Sequence, residues 1–390
     1  RQAEATRSAR VGLRHDLAPG SQLLALGTWQ TTDNDTTVGP TFSLDAEVDG
    51  YAGEVQHLWS GGRWRLVSGA RYAERRLREA TVLLLPPPFP SSTATTRSDS
   101  ESASGYAYAT VEALPGLAVT AGLAVDHLDD AIGDTTRLNP KLGLAWQPAA
   151  GTTVRAAWFR TLQSPFASRQ DVQPRLEPTP VAGFNQLFFG SAGEEASRLG
   201  LGIDQRLGER WWVGVEASGR EIEIPYFGFL PPDFTASVLT ADARERSARG
   251  YAYWTPTERL AASVAVEYDL RRNDQAFAPE GVITSELGRV PLRLHWFHPN
   301  GLGLGATATF VDQRVQLSPA GPFDPVTRAT SDFWVFDASL AWRLPRRWGQ
   351  VRLEGRNLTD RNAPFQDVDP ENPRIAPERL VLLRVTASVR

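Results

Sequence analysis

Apolar and polar residues alternate one by one along most of the chain. In "RLNPKLGLAWQ" (137–147) one side of an extended ribbon carries Leu138, Pro140, Leu142, Leu144 and Trp146, and the other carries Asn139, Lys141, Gly143, Ala145 and Gln147. In "DFWVFDASLAWR" (332–343) Trp334, Phe336, Ala338, Leu340 and Trp342 oppose Asp337, Ser339, Ala341 and Arg343. In "LAASVAVEYDL" (260–270) Val264, Val266, Tyr268 and Leu270 oppose Ser263, Ala265, Glu267 and Asp269. A period of two is the periodicity of a strand, whose successive side chains leave opposite faces. No stretch holds a sustained apolar stripe at helical spacing. The pattern predicts an all-β chain.

The connections alternate in length. Short turns fall at 19–21, 61–62, 115–116, 149–151, 208–209, 255–258, 298–301 and 345–348. Between them lie longer polar stretches at 33–41, 86–102, 129–136, 162–196, 224–240, 272–283, 319–331 and 360–376. This rhythm predicts a large up-and-down antiparallel barrel of about 16–18 strands with one tight rim and one elaborate rim, the layout of bacterial outer-membrane barrels. Tryptophans gather beside the short turns: Trp59 and Trp64 at one, Trp146 and Trp158 at another, Trp211, Trp254, Trp296, Trp342 and Trp348 at others. That placement fits an interfacial aromatic girdle.

The stretch "GQVRLEGRNLTDRNAPFQD" (349–367) shows why a membrane is the expected solvent. Arg352, Glu354 and Arg356 alternate with Val351 and Leu353. Such a ribbon suits a wet lumen on one side and lipid on the other, with every backbone group paired in a closed sheet. The competing reading is a soluble β-sandwich or adhesin with those apolar residues in a dry centre.

Composition narrows the picture. Across 390 residues, 41 Lys+Arg face 45 Asp+Glu, which lacks the basic excess of a nucleic-acid binder. The absence of cysteine removes disulfides, thiolate metal sites and cysteine nucleophiles. No methionine opens the chain, and the strand parity leaves the first strand starting outside, so an upstream portion is expected before a single barrel domain over 1–390. No HExxH, GxSxG or P-loop spacing is present, and neither catalysis nor a cofactor is expected.

Three clusters are candidate sites. Arg352, Glu354 and Arg356, with Asp337 and Arg343 on the preceding strand and Asn139 and Lys141 elsewhere, face the expected lumen; there charge tunes passage or simply pairs across strands. The stretch 162–196 carries Phe166, Phe184, Phe188 and Phe189 with Arg169 and Arg175, suited either to folding over the mouth or into the lumen against a ligand, or to packing on itself. "DHLDD" (126–130) sets His127 beside Asp129 and Asp130, a weak divalent-cation set for which a solvated strand end is the preferred reading.

Two stretches carry a family resemblance. "LNPKLGLAWQPAAGTTVRAAWFRTLQSP" (138–165) resembles the mid-barrel hairpin of TonB-dependent outer-membrane receptors, and "VRLEGRNLTDRNAPF" (351–365) with "PERLVLLRVTASVR" (377–390) resembles their closing segment. The resemblance implies an outer-membrane transport barrel, with lipid, lipopolysaccharide and the barrel-assembly machinery as partners and no nucleic acid. It also implies an upstream plug. The chain departs from the family in ending at Arg390 instead of an aromatic residue. "PTPVAGFNQLFFGSAGEEASRLGLGIDQRLGE" (178–209) resembles barrels fused to periplasmic tetratricopeptide repeats, which implies export as the alternative direction.

Overall fold

The computed structural model describes residues 2–39, 41–84, 91–131, 133–164, 175–185, 192–230, 235–274, 281–319, 326–345, 348–361 and 378–387. No α-helix occurs among the described residues. Among the described residues seventeen strands form one antiparallel sheet, and β9 (Pro180–Val181) and β10 (Phe184–Asn185) make a separate small hairpin.

The chain divides into two units. In the first, β1 (Gln2–Ala18), β2 (Ser21–Val38), β3 (Phe42–Gly61), β4 (Trp64–Leu83), β5 (Ser92–Leu114) and β6 (Leu117–Asp130) each pair antiparallel with the next. Most of β7 (Gly133–Ala149) and the later half of β8 (Thr152–Leu162) complete it. The second unit takes most of β11 (Glu195–Leu207) and the first part of β12 (Trp211–Leu230). It continues through β13 (Thr235–Thr257) from Ala241 onward, β14 (Leu260–Asn273), β15 (Val282–Phe297), β16 (Leu302–Leu317), β17 (Thr327–Arg343), β18 (Gly349–Arg356) and β19 (Leu380–Ala387). From β13 to β19 each strand pairs antiparallel with its successor.

The short turns hold because glycine supplies the geometry. Gly20 has φ 77°, and a Cβ there would lie 2.3 Å from the Ser60 carbonyl oxygen. Glycine alone meets both demands, and it lets the Ser60 N–H donate to the Gly20 carbonyl at 2.7 Å.

Several expected loops are strand. β2 runs on to Val38, β5 starts at Ser92, β6 and β7 are separated only by 131–132, and β12 resumes as β13 after 231–234. β3, β4 and β5 have 20, 20 and 23 residues, about twice the 9–11 that cross a bilayer. Where both faces meet water no hydrophobic alternation is required, so the ladder continues through sequence that reads as polar loop.

Within each unit the usual inside-out rule is inverted. In β3, Glu54 and Gln56 are 4% and 3% exposed, while Val55 between them is 50% exposed. In β7, Lys141 is 3% exposed and Leu142 is 49%. In the second unit Val264, Val266 and Tyr268 of β14 are exposed around buried Ala265, and Trp334, Phe336, Leu340 and Trp342 of β17 are exposed in a row. Apolar patches of this extent do not persist against water, and they mark a face whose solvent is lipid.

The closing motif has its own geometry. Past the end of β18, Asn357 takes φ 46°, which asparagine tolerates better than most residues. It is fully buried; its backbone N–H donates to Asp337 Oδ1 at 2.8 Å, and its side-chain amide exchanges two bonds with the Arg361 backbone at 2.9 and 2.8 Å. Asp360 Oδ1 accepts from the Arg379 N–H at 2.8 Å, tying the start of β19 to this turn.

Candidate functional site

β8 and β11 have 11 and 13 residues, far short of β3 to β5. Between them the backbone stays paired for one step, with Gln163 N–H donating to the Glu194 carbonyl (2.8 Å) and Gly193 N–H to the Gln163 carbonyl (2.9 Å). Ser164 Oγ lies 3.1 Å from Ser102 Oγ of β5. Residues 175–185 of this connection then lie as a strap on the polar face of the first unit.

The strap is held by buried polar groups at one end and apolar ones at the other. The Glu54 carboxylate accepts the backbone N–H groups of Leu176 and Glu177, both at 2.8 Å, and the Tyr106 hydroxyl at 2.7 Å. Gln56 Nε2 donates to the Leu176 carbonyl at 2.6 Å. Lys141 Nζ lies 2.6 Å from Glu177 Oε1, with both side chains nearly inaccessible, and the Tyr108 hydroxyl donates to the same oxygen. At the far end Val181 and Phe184 are buried against Ala157 and Phe159 of β8.

Three glycines make room for this arrangement. A Cβ on Gly69 would lie 2.5 Å from the Tyr106 hydroxyl, so its absence lets the phenol cross β4 to reach Glu54 on β3. Gly122 does the same for Tyr108, and Gly143 lets Val181 and Ala182 of the strap approach β7. Tyr106 and Tyr108 stack with centroids 5.5 Å apart, and Lys141 Nζ sits 4.5 Å over the Tyr108 ring.

Burial alone would raise the pKa of Glu177, but the Lys141 and Arg175 charges outweigh it and hold the carboxyl below its ordinary value. Arg175 Nη1 is 3.8 Å from Glu177 Oε2. Glu177 is therefore ionised at neutral pH and occupies a cationic, hydrogen-bonding seat.

Residues 2–193 match the family model for the TonB-dependent receptor-like β-barrel. Over those residues, just under half of its length, the chain is similar to this family. Among solved structures, the ferric-catecholate import receptor Fiu from K12 E. coli is 13% identical with a TM-score of 0.68, the match covering 98% of this chain and 64% of that one. The FrpB iron transporter from Neisseria meningitidis is 15% identical with a TM-score of 0.68, over 97% of this chain and 64% of that one. The copper transporter OprC is 13% identical with a TM-score of 0.65, over 95% and 64%. The receptor-like barrel thus spans less than two thirds of the length of these structures. Among curated proteins none matches the sequence. The fold is that of a bacterial outer-membrane β-barrel, and the family works in outer-membrane transport.

The residues singled out from sequence fall into separate places in this barrel. Asn139 and Lys141 lie in the strap site, Asn139 donating to Asp126 and Lys141 to Glu177. Arg175 and buried Phe184 belong to the strap itself; Phe166, Arg169, Phe188 and Phe189 lie outside the described residues. In the second unit Glu354 pairs with Arg352 and Arg356, each at 3.1 Å. Asp337 instead accepts from the Asn357 backbone, and exposed Arg343 stands opposite Gln350 at the strand end. Strand alternation turns Asp130 to the face opposite His127 and Asp129, and His127 Nδ1 is 3.0 Å from Thr136 Oγ1. No group of three metal-ligating side chains converges among the described residues.

Glu54, Gln56, Tyr106, Tyr108 and Glu177 were not found by sequence reading. Their signal is faint but physical: Glu54 and Gln56 alternate with apolar residues well inside β3, where no water would be expected on a globular strand.

Proposed function

We propose that this barrel imports a solute across the outer membrane along a polar lumen, with its extracellular connections capturing the solute. The observation that carries the reading is the inversion of burial, with Glu54, Gln56 and Lys141 covered on one face while Val55 and Leu142 stand bare on the other. The second unit has paired charges of its own: Arg289 pairs with Glu267 at 2.9 Å and Asp269 at 3.4 Å, and Glu245 with Arg220 and Arg271. A wall of alternating charge favours passage of polar cargo without trapping one sign of it. The structural neighbours are named for ferric and copper cargo, so a metal-bearing solute is the first class to test. On this reading the bare face meets outer-membrane lipid and lipopolysaccharide after insertion by the assembly machinery. An upstream plug or periplasmic repeat domain would share the polar face with the strap.

The test is uptake in cells. A strain deleted for the full-length gene should accumulate less radiolabelled iron or copper from at least one siderophore-bound or free-metal source, and the gene should restore it only while the inner membrane is energised. Unchanged accumulation of every such source on deletion would refute import of metal-bearing solutes.

A further inference from the structure

The strap's grip on the wall has one feature that structural packing does not require. A lysine ammonium and a glutamate are buried together where an apolar pair would hold as well. Lys141 needs a counter-charge wherever it is buried. In the docked state the other nearby carboxylates have their own donors: Glu54 takes the strap backbone and Tyr106, and Asp126 takes Asn139. Lys141 Nζ and the Tyr108 hydroxyl converge on one oxygen, Glu177 Oε1, beside the stacked Tyr106–Tyr108 pair. That is a seat for a carboxylate, and in the structure the protein fills it with its own.

We propose that Lys141 and Tyr108 form an anion-binding subsite for carboxylate-bearing solutes, and that Glu177 of the strap occupies it as an internal competitor. The proposal rests on the import reading for its biological use, but the subsite itself is a binding property of the isolated chain. Lifting the strap takes Glu177 away from Lys141 and Tyr108, so a solute with a carboxylate competes with Glu177 for that position and a neutral solute does not. Coupling of this kind makes apparent affinity depend on the fraction of chains with the strap lifted.

The absence of cysteine allows a clean lock. A Cβ on Gly143 would lie 3.3 Å from the Ala182 Cβ, close to the ~3.5–4.5 Å of a disulfide, and 2.9 Å from Val181 Cγ1, so the lock and its controls are made in a Val181→Ala background. Citrate serves as the carboxylate probe and sucrose as the neutral control, titrated by calorimetry against the purified chain in detergent. Heat-modifiable migration on gels verifies folding of each variant. Glu177→Gln should bind citrate at least about tenfold more tightly than the unaltered chain, and adding Lys141→Gln should abolish the gain. Gly143→Cys with Ala182→Cys should lose citrate binding when oxidised and regain it on reduction. Equal citrate affinity with and without Glu177, or equal affinity of the oxidised and reduced lock, would overturn the subsite. Cellular uptake that persists while citrate affinity ignores the strap would remove the subsite and leave import standing. Citrate binding as described without any cellular uptake would do the reverse.

Discussion

Lys141 is the only lysine in the chain, so one ε-amine reports on the strap. In the docked state its Nζ lies 2.6 Å from Glu177, and the two side chains are 4% and 6% exposed. An acylating reagent reaches it only when the strap lifts. Glu177→Gln removes the counter-charge and leaves the ammonium buried against a neutral amide. Breaking a buried pair by removing one partner costs about 3–5 kcal/mol. Val181 and Phe184 still anchor the other end of the strap, so the lower figure is the better guide. At about 1.4 kcal/mol per decade, 3 kcal/mol raises the lifted fraction by about 100-fold. The rate of acetylation by an N-hydroxysuccinimide ester, read at Lys141 by peptide mass mapping at neutral pH, should rise by about that factor. Glu354→Gln, which breaks a pair in the second unit, should leave the rate unchanged. A rise of less than about threefold, or an equal rise in Glu354→Gln, would show that Glu177 does not hold the strap over Lys141.

Other perturbations test other parts of the structure. Leu142→Arg puts a charge on the bare face of β7 and should cost up to about 2–4 kcal/mol in urea titrations of folding into liposomes; a cost near zero would mean that this face meets water. Asn357→Ala removes the bonds to the Arg361 backbone from a fully buried site and should cost about 1–3 kcal/mol in the same titration; a neutral result would contradict the role assigned to the turn. Because the Glu177 pKa is depressed, the stability it lends is fully present above its ordinary value of 4.5 and is lost only as the pH falls through the lower folded value. The groups that face it are Lys141, Tyr108, Arg175, Arg71, Glu54 and Asp126. Hydrogen-exchange protection factors of residues 175–185, corrected for the intrinsic rate at each pH, should therefore hold from neutral pH down to about 5 and fall only below the ordinary carboxylate range; a fall between pH 7 and 5 would reverse the assigned sign.

What the sequence made legible is what the solvent imposes locally. Lipid on one face and water or protein on the other force a period of two, and Leu138, Leu142 and Trp146 against Asn139 and Lys141 announce β7 without any structure. The same logic explains the failures. Where β2, β5, β12 and β13 extend into water on both sides the contrast vanishes, and strand was read as loop. The strap could not be seen because its contacts are far apart in the chain: Glu54 meets residues 176 and 177, and Lys141 meets Glu177. No period and no spacing records meetings across 36 and 122 positions. Alternation alone assigns Lys141 to the polar face of β7, but its partner is one acidic residue among 45. The glycines point to a way through. Gly69, Gly122 and Gly143 sit inside strands, where glycine weakens a sheet, and each is vacant space that something crosses: Tyr106, Tyr108 and the strap. In a barrel wall, a strand-interior glycine on the polar face next to an isolated lysine is a mark of occupied space, and it is readable before any coordinates exist.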